Sequence, residues 1–134
     1  MTDLKRSGKN NQKREPRILV VPFVEADILT TGSIYATLPA RTLLMYSQMI
    51  IKTPSGTASS TLDVTANGNV IANEVAATVA TTVVSAITAT AAYLPTGGDI
   101  VIKAGAVTPA NGALVGEYVL TYVELDKTNG EYTN

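Results

Sequence analysis

From residue 17 onward, apolar and polar positions alternate in short runs separated by clusters of Gly, Pro, Asn and Ser. A two-residue alternation sets one side of an extended segment against a core, so these runs predict strands. The first is Arg17–Val24, where Pro22 lacks an amide and predicts an edge strand or a bulge. Thr31-Gly32-Ser33 predicts a turn, Ile34–Leu38 a short strand ended by Pro39, and Thr42–Thr53 a long strand. In the long strand, strict alternation groups Leu43, Met45, Met49 and Ile51 against Leu44, Tyr46, Gln48, Ile50 and Lys52. Pro54-Ser55-Gly56 turns the chain. Thr61–Thr65 and Asn69–Ala72 flank Asn67-Gly68, a pair that accepts positive φ and predicts a hairpin. Leu94-Pro95-Thr96-Gly97-Gly98 and Pro109-Ala110-Asn111-Gly112 are further breaks, with a strand at Asp99–Lys103 between them, Ile100 and Ile102 on one face. The last strand covers Leu114–Leu125, with Tyr118, Leu120 and Tyr122 opposite Val115, Val119, Val123 and Leu125.

Residues 75–92 fit two periods. Val75, Val79, Val83 and Ile87 recur every fourth position, which suits a helical stripe or one face of a strand. Ten of the eighteen residues are β-branched, which disfavours a helix, so the segment is expected to form two strands divided near Thr81-Thr82. Seven to nine short strands with frequent turns predict an all-β fold, an antiparallel sandwich or barrel.

Composition adds a division. Residues 1–17 carry Lys5, Arg6, Lys9, Lys13, Arg14 and Arg17 against Asp3 and Glu15, a net of +4; the remainder nets −5. The segment has too few aliphatic residues for a core, so it is expected to be a basic, flexible arm that binds a partner or serves as a solvated tail. Residues 18–126 form the expected sandwich and 127–134 a polar tail. The arm has no aromatic residue for base stacking and the rest of the chain is acidic, so nucleic acid is not the expected partner. No run approaches the roughly 20 apolar residues of a membrane helix. The apolar run Ile18–Val24 is short, holds Pro22 and leads straight to Glu25 and Asp27, unlike a signal peptide.

The chain has no Cys and no His, which removes thiolate chemistry, the commonest general base and the commonest metal ligand. Glu25/Asp27, Glu124/Asp126 and Glu117 read as solvated acids. Gly97-Gly98 precedes a strand, so it is no phosphate loop. Asp63 with Asn67-Gly68-Asn69 lacks the regular acidic spacing of a calcium loop and reads as a hairpin turn. No catalytic, cofactor or metal site is expected, and no enzyme activity. Of the six tyrosines, Tyr118 and Tyr122 share a strand face. They form either a subunit interface or part of the core with satisfied hydroxyls.

Three stretches carry a likeness: Leu94-Pro95-Thr96-Gly97-Gly98-Asp99-Ile100-Val101-Ile102-Lys103, Glu117-Tyr118-Val119-Leu120-Thr121-Tyr122-Val123-Glu124-Leu125, and Leu38-Pro39-Ala40-Arg41 entering the strand that ends in Lys52-Thr53. Over residues 34–125 the chain resembles small jelly-roll proteins of tailed bacteriophages. That resemblance implies a virion protein made in the host cytoplasm, commonly a capsid cement or decoration protein on the head surface. It implies the major capsid protein and further copies of the chain, as a homodimer or homotrimer, for partners. It transfers no functional residue, and the long basic arm departs from the simplest form. Two rivals remain: another virion part, such as a head-fibre base, neck or tail protein, and a carbohydrate-binding sandwich. The absence of Trp weighs against the second.

Overall fold

The structure is a computed structural model, and it describes residues 15–28 and 32–125. Nine strands follow in order: β1 (Arg17–Val24), β2 (Ser33–Leu38), β3 (Thr42–Thr53), β4 (Thr61–Ala66), β5 (Asn69–Ala76), β6 (Thr82–Ser85), β7 (Tyr93–Leu94), β8 (Gly98–Ala104) and β9 (Val115–Glu124). A 3₁₀ turn, Glu25–Asp27, follows β1, and one helical turn, α1 (Ala89–Ala92), precedes β7. The strands form two antiparallel sheets. One runs β1-β9-β3-β6, with β7 also on β3, and the other β2-β8-β4-β5.

The pairings are nested. β4 pairs with β5, β3 with β6, β2 with β8 and β1 with β9, as along one long hairpin. The pairs β9–β3 and β8–β4 then roll that hairpin into two facing layers. An eight-stranded hairpin rolled in this way is a jelly roll, and β7 is a short addition to it.

The core lies between the layers. Val21 and Phe23 from β1, Met49 and Ile51 from β3, and Tyr118 and Leu120 from β9 meet Leu62, Val64, Ile71, Ile100 and Ile102 from the other sheet. The grouping of the β3 side chains by strict alternation is corrected here. Register between β3 and β9 shifts between Leu44 and Tyr46, so Met45 is an extra residue. One inserted residue moves every later side chain to the opposite face. Thr42 and Leu44 therefore point inward before the bulge, and Ser47, Met49 and Ile51 after it, while Leu43 is only half-buried and Met45 exposed.

The Asn-Gly hairpin takes the expected form: Asn67 (φ 50°) and Gly68 (φ 81°) join β4 to β5, both with positive φ, as a type I′ turn requires. Gly97 answers a close approach, because a Cβ there would lie 2.2 Å from the Leu38 carbonyl oxygen. The segment 75–92 departs from the two expected strands. β5 continues through Val75 to Ala76 and β6 starts at Thr82, as expected, but Ala89–Ala92 forms a helical turn. Three of its four residues are Ala, the best helix former, and only Ala91 is buried.

Every sheet edge is interrupted. β1 holds Pro22, β2 has a bulge at Tyr35, β5 is broken at Glu74 (φ 50°), and β6 has four residues. Such devices limit unwanted strand pairing.

Candidate contact surface

The two outer faces differ in chemistry. On the β1-β9-β3-β6 sheet, register sets side chains in rows: Val24 beside Val115; Pro22 beside Glu117, Ile50 and Thr82; Val20 beside Val119, Gln48 and Val84; Ile18 beside Thr121 and Tyr46. Ile18, Val20, Tyr46 and Val84 are exposed at 66%, 51%, 59% and 65%. The charges amid these rows are tied to each other, Lys52 Nζ standing 3.2 Å from the Glu117 carboxylate. Exposed apolar side chains thus gather on this face among Gln48, Thr82, Glu117 and Thr121, and a cluster of this kind is a candidate contact surface.

The outer face of the other sheet carries Asp99, Lys103, Asp63 and Glu74, with Ile34 and Val70 near its edges. The Thr37 hydroxyl donates to Asp99 at 2.7 Å. At the β5 break, Glu74 N–H donates to Asp63 Oδ1 at 2.7 Å. The Glu74 carboxylate accepts from the Thr61 hydroxyl at 2.7 Å and from Ala106 N–H at 3.0 Å. It thereby fastens the β8–β9 loop to β4 and β5.

Partial burial raises the Asp63 pKa above the usual carboxylate range, Glu74's charge adds to that, and the Glu74 amide opposes it. The Thr61 hydroxyl and then the Ala106 amide lower that of Glu74. The two contributions have opposite pH dependence. Glu74, with its pKa lowered in the fold, stabilises above its unfolded pKa and loses that effect as pH falls through its folded pKa. Asp63, with its pKa raised, destabilises when ionised, and falling pH relieves this. Asp63→Asn keeps the oxygen acceptor and removes the disfavoured charge. Its melting temperature relative to the native chain should therefore be higher at neutral pH than at about pH 4. An advantage that does not change between the two would contradict this.

The end of β1 is held by Glu25. Its carboxylate is buried and accepts from the amides of Gly112 and, at 3.4 Å, Leu114, while its own N–H donates to Leu114 O at 2.9 Å. Asp27 accepts from Val24 N–H at 3.1 Å. An open groove of about 510 Å³ lies here, between Val24–Ile28 and Thr108–Gly112. Among the described residues, Glu25 is the one ionisable group lining it, and it is committed to loop amides. Glu117 pairs with Lys52, and Glu124 with Arg17 at 3.5 Å. Each of these carboxylates thus has a structural task; Asp126 lies outside the described residues.

Among the basic residues singled out from sequence, Arg17 is the first residue of β1. Lys5, Arg6, Lys9, Lys13 and Arg14 lie outside the described residues. Tyr118 is a core residue and not a contact residue. It is fully buried, and its hydroxyl shares a 2.6 Å hydrogen bond with Ser47. Burial drives its pKa upward. Tyr122 is half-buried on the same inner face and packs against the core. Tyr35 is half-buried, and burial together with the Asp27 charge pushes its pKa up to about 12. The most exposed aromatic ring on this outer face is Tyr46, which sequence reading grouped but did not single out. The signal was present in β1, where Ile18-Leu19-Val20-Val21 is apolar on both sides; such a strand needs a second cover. No family model, curated protein or solved structure matches the chain.

Proposed function

We propose that the chain is a capsid cement protein of a tailed bacteriophage, seated on the head through the outer face of the β1-β9-β3-β6 sheet. The observation that carries the reading is that Ile18, Val20, Tyr46 and Val84 are exposed together on this face, while the other outer face carries Asp63, Glu74, Asp99 and Lys103. The sequence resemblance supplies the phage head as the surface. The jelly roll supports it as a rigid support for a contact face, with Glu25, Glu74, Glu117 and Glu124 engaged in holding loops and strands.

The action is adhesion. A copy lying across a junction between capsid subunits buries apolar area on both, at roughly 25 cal/mol per Å² removed from water. Because it binds the assembled shell and not loose subunits, it stabilises the shell by mass action. The basic arm, before β1, adds ion pairs to an acidic patch of the shell or of a neighbouring copy, and a second attachment raises avidity.

The test is co-sedimentation of purified chain with tailed-phage heads assembled from purified major capsid protein. The full chain should sediment with the heads. Val119→Asp combined with Val84→Asp puts charge on the apolar face, away from the β1 edge, and should weaken binding at least about tenfold while the far-ultraviolet spectrum stays that of a β protein. A full chain that stays in the supernatant would refute the cement reading. A charged variant that binds as tightly would refute the choice of face.

A further inference from the structure

We propose that two copies of the chain pair edge to edge through β1, antiparallel, about a two-fold axis at Leu19. The inference deepens the cement reading, since it names the surface that joins copies, but its physical basis is independent of any shell.

The orientation of β1's backbone groups is fixed by three observations. Glu25 N–H donates to Leu114 O, at the start of β9. Val24 N–H turns away from β9 and donates to Asp27 Oδ2. Pro22, which has no N–H, lies opposite Glu117. In an antiparallel pair, alternate residues bond alternate sides. Odd-numbered residues of β1 therefore bond β9, and Ile18, Val20, Pro22 and Val24 face the edge that no other described strand pairs with. Of these, Val24 N–H is taken and Pro22 has none. Ile18 and Val20 are left with amides and carbonyls on the edge, under side chains that are exposed at 66% and 51%.

One register of a symmetric β1 pair uses all of these groups. A two-fold axis at Leu19 sets Ile18 opposite the partner's Val20, and Val20 opposite the partner's Ile18. Each such pair exchanges two N–H···O bonds. Pro16 then lies opposite the partner's Pro22, so neither proline leaves an amide unmatched. A shift of two residues either way sets Val20 opposite Pro16 or Ile18 opposite Pro22, and a carbonyl loses its donor. The prolines that blunt the edge therefore also select the register.

A self-complementary patch is what a two-fold interface requires. Pairing joins the two sheets into one and makes their apolar faces continuous, which doubles the surface offered to a shell.

Sedimentation equilibrium of the full chain, with no shells present, tests the pairing. A dimer is expected. Val20→Pro removes an amide that faces away from β9, as at Pro22, and should weaken the dimer at least about tenfold with the spectrum unchanged. Leu19→Cys places a thiol at a directly opposed, non-hydrogen-bonded position, where Cα atoms are about 4.5 Å apart, and should cross-link on mild oxidation. Ile18→Cys lies on a diagonal, outside disulfide reach, and should not. A monomeric full chain, a dimer indifferent to Val20→Pro, or no cross-link with Leu19→Cys would each overturn the proposal; if Val20→Pro fails to fold, the two cysteine variants decide alone. None of these outcomes touches the shell-binding result.

Discussion

Leu62→Ala is expected to lower the unfolding free energy by about 3–4 kcal/mol, read as a drop in the urea midpoint at constant slope. Leu62 is fully buried on β4, which lies inside the β2-β8-β4-β5 sheet between β8 and β5. Its register partners are Ala104 and Val75, and one of them is small. Ala104 has little side chain to move into the space, and the backbone around it is fixed by ladders on both sides. The lost methine and methyl groups would therefore leave most of their volume as a cavity, which adds to the transfer term. Val84→Ala is the matched control, because Val84 is 65% exposed and should change stability by no more than about 0.5 kcal/mol. Equal losses at the two positions would mean that the layers are not arranged as described.

Glu25→Ala should cost about 2–4 kcal/mol, nearly as much, through hydrogen bonds and not volume. The carboxylate satisfies the amides of Gly112 and Leu114, at the point where the β8–β9 loop enters β9. Leu114 is itself fully buried, so its amide has no ready access to water when the acceptor is removed. Bonds to a charged acceptor contribute more than neutral ones, and a buried orphan donor carries its full desolvation cost. Glu25→Gln retains one oxygen acceptor and should recover about half of the loss. Hydrogen exchange separates this from general destabilisation. The amides of Gly112 and Leu114 should lose protection first, while those of β4 follow global unfolding. Uniform loss across the chain would argue against a local fastening.

The strands were legible because the chain alternates cleanly and its turns are marked. Thr42–Thr53 could be bounded from Arg41 and Pro54, and the Asn67-Gly68 turn from its own chemistry. The inward face of β3 was not legible, since an inserted residue at Met45 leaves no trace in a pattern where both neighbours are apolar. The turn at Ala89–Ala92 is too short to show a helical period. The contact surface was legible only as a question. In β1 both sides are rich in Val, Ile and Leu, and in β9 Val115, Val119 and Val123 lie opposite Tyr118, Leu120 and Tyr122, so alternation separates the sides without saying which one is covered. Ser47 made the same point in reverse: a polar residue at a core position is explained only when Tyr118 is placed 2.6 Å away. The Asp63–Glu74–Ala106 fastening joins three separate elements and needed their registers to be known.

The nesting of the strand pairs also sets a clock. β1 is made first among the strands, yet its ladder partner, β9, is made last. At roughly 5–20 residues per second, a ribosome leaves β1 unpaired for several seconds. A topology so dominated by distant partners folds in about milliseconds to seconds, so closure waits on synthesis. Throughout that interval Pro16 and Pro22 deny the nascent Ile18–Val24 stretch a continuous row of donors, and so guard an apolar strand against other growing chains until β9 arrives.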